Sequence, residues 1–504
     1  MKRFLSIIFA AMLTVTAIFG GTAFAASEVL GDVNGDSRLD VLDVVLTRAH
    51  IVGNAVLEET SADINGDSRI DILDVVFMRS YIVNADETPS ETPVFPDTDS
   101  NEDTEPQVIM TLDPVKTPGG SAKLIRVKSD YTSIYNANHK SSFVAPIYSQ
   151  LPKDTLEYFK SENGEYIISE SGRKYKSDAV EVVSGKNFGE NKIVVKSIEE
   201  KDGATILKIK TDLKTAFNIQ PKDLDYKYID NYDFFYTIDS FNPTRITIVF
   251  DNATAVTELP KFSGSDLFTK AEWGKTTDNG VEKFMLTLTL RQAGIYNGQR
   301  AVYDSDGNLV VTFTKYPSSI KEATIVIDPG HGYNDPGALG YLNGVRINES
   351  DINAAIASKL AEKLKAAGAN VYVLPTSSAS YSHKVRAFMA REYNPQIFIS
   401  VHSNSSELSS SPRGSMAFYH TQASQPLARA VVNKVSLVVG NKRSEDCLQD
   451  AYSVTLQNDF VSMLLETAFM SNSGDLAILT NPQKQDEIAA AITEGIGEYC
   501  ARKR

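Results

Sequence analysis

Thr324 to Gly337 reads TIVIDPGHGYNDPG. Thr324, Ile325, Val326 and Ile327 have the length and branching of a fully buried strand, and Asp328-Pro329-Gly330 stops it abruptly. His331 then sits just past a strand's carboxyl end. In open α/β sheets that rim is where ligands bind, and glycines on both sides of the histidine let the backbone approach a bound group closely. One histidine in such a turn is equally an ordinary polar loop residue. The rest of the chain decides.

Downstream the pattern alternates between helix and strand. A helix is expected from Glu349 to Ala367, with Ile352, Ile356, Leu360 and Leu364 along one face and Gly368 as its stop. Val371 to Leu374 and Gln396 to Val401 read as strands, the second running into His402-Ser403-Asn404, and Ser462 to Leu465 is a third, ending in Glu466. In one parallel sheet His331, His402 and Glu466 would converge on the same rim, and Glu349 could reach it from the start of the helix. Two histidines and one carboxylate with an open position form the ligand set of a catalytic zinc site, whereas a structural site is closed by four protein ligands. The open position would hold a water whose pKa the metal lowers. A second carboxylate, off the metal, is then needed to take the water's proton and pass it to a leaving nitrogen. Glu349 suits the ligand role and Glu466, set among Leu464, Leu465, Ala468 and Phe469, suits the base. Either glutamate alone is equally a helix cap or a satisfied buried carboxylate.

The block from Ala323 to Tyr499 resembles the zinc-dependent N-acetylmuramoyl-L-alanine amidases. The resemblance rests on IVIDPGHG at 325–332, DPGALG at 335–340, Glu349 before the helix, FISVHSN at 398–404 and LLETAFMSN at 464–472, in matching order and spacing. It implies one zinc ion bound by His331, Glu349 and His402, with Glu466 as general acid/base. It also implies cleavage of the amide between muramic acid and L-alanine in peptidoglycan, by a single α/β domain with a mostly parallel sheet. Tyr333, Thr376-Ser377 and Val461-Ser462 depart from the family pattern without removing a ligand or the base. His50, His139, His383 and His420 have no matching partners and read as surface or packing residues.

The amino-terminal third carries an address and a repeat. Lys2-Arg3, the apolar run Phe4 to Phe19 and Ala23-Phe24-Ala25 have the three parts of a secretory signal peptide over 1–25. No later stretch is long and apolar enough to span a bilayer. Residues 31–52 (GDVNGDSRLDVLDVVLTRAHIV) recur at 62–83 (ADINGDSRIDILDVVFMRSYIV). Asp32, Asn34, Asp36, Asp40 and Asp43, then Asp63, Asn65, Asp67, Asp71 and Asp74, fall at positions one, three, five, nine and twelve of a calcium loop, and Arg38 and Arg69 would add backbone carbonyls. This resembles the type I dockerin, a small all-α module with two calcium loops, expected over 26–84. The resemblance implies two structural calcium ions and a cohesin partner on a scaffold protein, contacted through Val41, Leu42, Arg48, Ile72, Leu73 and Arg79. Ser37 and Ser68 replace the usual glycine at loop position six, a left-handed position where serine costs about 1 kcal/mol.

Residues 85–120 turn to Pro, Thr, Ser and acids, the composition of a solvated linker. From there to Pro317 the pattern is all-β. Residues 121–185 resemble an SH3-type barrel with a hairpin at Asn163-Gly164, and 186–317 resemble an AMIN-type β-sandwich with a hairpin at Asp306-Gly307, leaving 318–504 for the α/β domain. Wall binding and mere spacing are both open for this middle region. Cys447 and Cys500 are the only cysteines, too few for a disulfide scaffold; they could pair or stay as two small buried groups.

The net charge of −14 argues against nucleic acid and anionic membrane as partners. The chain therefore reads as a multidomain, secreted peptidoglycan hydrolase, held extracellularly or at the cell wall through a cohesin. The alternatives are a noncatalytic wall-binding scaffold component, for which a base such as Glu466 has no use, and a zinc peptidase acting on another amide.

Overall fold

The computed structural model describes residues 106–114, 123–137, 149–184, 188–376, 383–440 and 446–502, less 202, 225, 229–235, 239–240 and 279, together with isolated residues between Val33 and Met78. The chain divides into two compact units, 1–96 and 97–504.

In the first unit Val44 from one repeat and Val75 and Met78 from the other are buried together, with Val33 and Leu39 against them. Asp43 is buried, and its Oδ1 accepts the Val33 N–H at 2.9 Å, tying the last position of the first loop to its second. The remaining positions expected to bind calcium, Asp32, Asn34, Asp36, Arg38, Asp40, Asp63, Asn65, Asp67, Arg69, Asp71 and Asp74, lie outside the described residues. So do Val41, Leu42, Arg48, Ile72, Leu73 and Arg79, the expected signal peptide 1–25 and most of the linker.

The second unit begins inside the stretch expected to be linker. Val108–Thr111 is a strand there, pairing antiparallel with Ala255–Thr257. Its four residues carry too little pattern to stand out in a polar segment, and the partner is far along the chain. The sheet it edges also contains Lys192–Lys201, Ala204–Thr211, Leu309–Lys315 and Tyr296–Tyr303. Phe313 of that sheet meets Phe268 of a second sheet, formed by 217–222, 245–250, 281–290 and 268–278, edge-on at 5.2 Å. A third sheet comprises the short strands from Lys123–Val127 to Val180–Ser184, with the hairpin at Asn163-Gly164 joining Leu156–Glu162 to Tyr166–Ser169. Arg173 of this sheet pairs with Glu157 of the same sheet and reaches Asp251, the residue just past strand 245–250 of the second sheet, and Lys283 closes the buried network on Asp251. Charges this deep are tolerated only in such mutual pairing.

The carboxyl-terminal domain is an α/β layer structure. Its elements are β1 (Thr324–Pro329), β2 (Leu339–Leu342), β3 (Val345–Asn348), α1 (Glu349–Ala366), β4 (Asn370–Val373), α2 (His383–Arg391), β5 (Ile397–Asn404), β6 (Met416–Tyr419), α3 (Gln425–Val439), β7 (Cys447–Gln449), β8 (Val461–Phe469), α4 (Ser473–Leu479) and α5 (Pro482–Ala501). The main sheet is mixed, in the order β4-β1-β5-β8-β6-β7, with β8–β6 antiparallel and the other pairs parallel. Ile352, Ile356, Leu360 and Leu364 of α1 are buried as the sequence periodicity requires.

Three local readings change. β1 runs through Asp328 and Pro329, which pair with Ser400 and Val401. Proline is accommodated because β4 ends opposite Ile327, so no neighbour on that side needs its missing N–H. His402 and Glu466 lie within strands rather than after them, because β5 and β8 extend each other and β6 prolongs β8 as far as Glu466. The hairpin β2–β3 was not expected, although Asn343-Gly344 marks it: both turn residues have positive φ, 52° and 79°, as a two-residue hairpin loop demands.

The β region meets this domain on the edge where β5 and β8 begin. Asn297 Nδ2 donates to the Gln396 carbonyl at 3.0 Å, the Gln299 N–H to the Asn458 carbonyl at 2.7 Å, and the Arg391 guanidinium stacks 3.7 Å from the Tyr131 ring. Gly298 permits the approach: a Cβ there would lie 2.7 Å from the Asn458 oxygen. The opposite rim, carrying His331 and His402, is left free of this contact.

Candidate active site

The turn after β1 is shaped to aim one imidazole. His331 itself has φ 65°, and Gly330 and Gly337 sit where side chains would collide with the site: a Cβ on Gly330 would be 2.3 Å from the His402 ring, and one on Gly337 2.6 Å from Glu349 Oε2. Arg386 of α2 locks the turn from below. Its Nη1 donates to Asp328 Oδ1 at 2.6 Å and to the Pro329 carbonyl, and its Nη2 to the His331 carbonyl at 2.6 Å. Ser400 Oγ donates to the other Asp328 oxygen at 2.7 Å.

Three of the residues singled out in the sequence come together. Glu349 is buried, with Oε2 3.2 Å from His331 Nε2 and Oε1 3.1 Å from His402 Nδ1. The two imidazole centroids are 4.9 Å apart, and one donor atom from each of the three residues lies within 4.8 Å of the others. Glu349 is steadied by the N–H groups of Ala338 (2.9 Å) and Ser403 (3.1 Å) and by Asn353 Nδ2 (3.1 Å). Asp335 Oδ2 is 2.8 Å from His331 Nδ1, fixing the ring with Nε2 toward Glu349. Two imidazole nitrogens and a carboxylate oxygen converging at this range, with a carboxylate behind one ring, fit a zinc-type cation.

Electrostatics separate the two glutamates. Burial would raise the Glu349 carboxyl, but hydrogen bonds from His331 and His402 outweigh it and hold the group far below the usual carboxylate range. Burial would likewise lower His331, yet Glu349 and then Asp335 carry it up to about 9. Glu466, opposite His402 on β8, behaves differently. Burial pushes it up to about 7, with Glu349 adding to the rise and the two histidines opposing it. Its Oε2 is enclosed without a hydrogen-bond partner among the described residues.

Sequence reading missed the supporting residues. Asp335 had a signal, a carboxylate four residues after the histidine in the same turn. Arg386, Asn353 and Thr467 had none, since their roles follow from nonlocal packing: Thr467 Oγ1, for example, donates to the His402 carbonyl at 3.0 Å. His420 is buried, in keeping with a packing role. The His383 side chain, His50 and His139 lie outside the described residues.

Comparison with known proteins bears on the same block. A family model described as N-acetylmuramoyl-L-alanine amidase matches residues 325–498, and one for the dockerin type I domain matches 30–83. The uncharacterized protein YqiI of Bacillus subtilis (strain 168) is 31% identical over 187 residues, 36% of this chain and 86% of that protein. The N-acetylmuramoyl-L-alanine amidase LytC of the same organism is 34% identical over 201 residues. The chain belongs to the N-acetylmuramoyl-L-alanine amidase family. Its match spans 38% of its own length and 39% of LytC's. The catalytic domain of CwlV, an N-acetylmuramoyl-L-alanine amidase from Bacillus (Paenibacillus) polymyxa var. colistinus, is a solved structure 28% identical to it, covering 36% of this chain and 99% of that one with a TM-score of 0.33. Within this amidase family member, His331, Glu349, His402 and Glu466 all fall inside the matched residues.

Proposed function

We propose that this chain hydrolyses the amide joining N-acetylmuramic acid to L-alanine in peptidoglycan, with His331, Glu349 and His402 holding zinc and Glu466 as general acid/base. The observation that carries the reading is Glu466: a carboxyl poised near neutrality, with an oxygen that has no partner among the described residues, beside a converging His–Glu–His set. A scaffold protein would gain nothing from keeping such a group enclosed, because each buried polar atom without a partner costs about 1–3 kcal/mol. Zinc bound there would polarise the attacked carbonyl and acidify a water. The protein's own part is positional and protonic. Glu349 stays ionised between the two rings, Asp335 fixes the orientation of His331, and Glu466 changes protonation state near pH 7, so it can accept the water's proton and return it to the departing nitrogen.

The amino-terminal unit, in this reading, binds two calcium ions through the two repeat loops and docks onto a cohesin, placing an exported hydrolase in an extracellular or wall-associated assembly. Among the described residues no helix is long and apolar enough to cross a membrane. The decisive experiment is release of L-alanine amino termini from purified peptidoglycan by the mature protein with zinc, after chelation, and as Glu466→Ala. Release by the zinc-loaded protein alone is expected. No release from any wall while zinc remains bound would overturn the hydrolase reading and leave a wall-binding component.

A further inference from the structure

The hairpin β2–β3 has two unlike faces. Gly340, Leu342 and Ile347 turn inward: Leu342 and Ile347 pack on the core, and a Cβ on Gly340 would lie 3.0 Å from Leu476. The other face presents Leu339 and Tyr341, paired with Asn348 and Arg346. Tyr341 is 66% exposed and Leu339 43%, an unusual outlay of apolar surface for a hairpin one residue from a metal-site glutamate. This face runs into an open cleft of about 470 Å³ whose lining includes Gly332 and Ser350, the neighbours of His331 and Glu349, and also Tyr333, Arg346, Asn348 and Asp351. Neither histidine nor either glutamate lines it, so it is an annex of the site rather than the site itself.

Arg346 gives the annex a chemistry. Its Nε donates to Asn348 Oδ1 at 3.0 Å, which holds the guanidinium at the cleft wall, and among the described residues its Nη nitrogens have no partner. Asp351, the acidic group in the lining, is already engaged, accepting from Asn348 Nδ2 at 3.0 Å. A tethered guanidinium with its fork free among the described residues, sharing the cleft lining with exposed Tyr333 and paired across the hairpin with exposed Tyr341, matches a carboxylate on a partly apolar chain.

We infer that Arg346 is a specificity-determining residue that binds a free carboxylate of the substrate's stem peptide, with Tyr341 and Tyr333 flanking the same segment. The inference rests on the hydrolase reading above and names the part of the substrate that the cleft takes. Its test uses N-acetylmuramoyl-L-alanyl-D-glutamate and the same compound with both glutamate carboxyls amidated, given to the zinc-loaded protein and to Arg346→Gln and Arg346→Lys. Arg346→Gln is expected to raise KM for the diacid about tenfold, the scale of one partly exposed charge-assisted pair, with kcat nearly unchanged. KM for the diamide should not move, and Arg346→Lys should recover part of the loss. Equal changes on both compounds, or none on either, would overturn the inference. The same pair is titrated calorimetrically into Glu466→Gln with and without Arg346→Gln. Absence of turnover in the parent with Arg346-dependent binding of the diacid would overturn the hydrolase reading alone; binding of the diacid that ignores Arg346 would overturn this one.

Discussion

Glu466 and His402 stand opposite each other on neighbouring parallel strands, β8 and β5, one on the metal-site side of the rim and the other a residue whose carboxyl is enclosed. That register makes the proposed proton-transfer group part of the sheet rather than of a loop, and it has a thermodynamic cost. With its folded pKa near 7 and an ordinary value of 4.5, native Glu466 keeps its proton over a range where the unfolded chain has lost it. The stability associated with the neutral carboxyl is therefore complete below pH 4.5 and is lost as pH rises through 7. The loss is about 3 kcal/mol by linkage. Glu466→Gln, which cannot ionise, removes it. Urea unfolding of the metal-free protein at pH 4 and pH 8 should show a pH difference in stability smaller by about this amount in the variant. An identical difference in both proteins would mean that the carboxyl is solvated.

The buried charges between the β sheets make a second, independent expectation. Arg173 and its partners Glu157 and Asp251 are almost wholly out of solvent. Among the described residues, Arg173→Met leaves Glu157 without a cation and Asp251 with Lys283 alone. Removing one partner from a buried network costs about 3–5 kcal/mol. The urea midpoint of the variant should fall accordingly, with the slope retained if the native state stays compact. A change under about 1 kcal/mol would show that water reaches these groups.

Part of this architecture is legible in the sequence because its determinants are local. The apolar run 324–327 and the spacing of Ile352, Ile356, Leu360 and Leu364 define a strand and a helix without reference to anything else. The residues of the His–Glu–His set are legible for a related reason: each is marked by where it falls relative to such an element. What is set by pairing across the fold is not legible. Pro329 enters β1 only because Val401 lies beside it, and Val108–Thr111 becomes a strand only where Ala255–Thr257 offers an edge. Arg386 carries no local mark of its role, which exists only once the β1 turn is folded over it. The hairpin at Asn343-Gly344 is a different case, since its turn signal was present and local.

The two cysteines should behave as buried thiols outside any disulfide. Both are enclosed and neither forms a disulfide, and burial pushes Cys447 up to about 12, so almost none of it is thiolate at pH 8. Native protein should give negligible reaction with a chromogenic disulfide reagent at that pH, and two equivalents after unfolding without reductant. Two equivalents from the native state would place the thiols at the surface; none after unfolding would show that they pair.

The last expectation concerns Asp335, which touches no other member of the His–Glu–His set but His331. One oxygen holds His331 Nδ1 at 2.8 Å, and the other accepts the Gly337 N–H at 3.1 Å, so a single carboxylate fixes both the ring and the turn beyond it. A carboxylate behind a ligating histidine orients the ring and raises its basicity, and losing such a partner weakens metal binding about 10- to 100-fold. Asp335→Ala should show that loss in a competition titration against a fluorescent zinc chelator. Asp335→Asn, able to accept a hydrogen bond but carrying no charge, should fall between. Turnover per bound zinc should change far less than affinity, because Glu466, across the sheet on β8, is untouched. Unaltered affinity in Asp335→Ala would mean that the turn is held by Arg386 alone, through the His331 carbonyl.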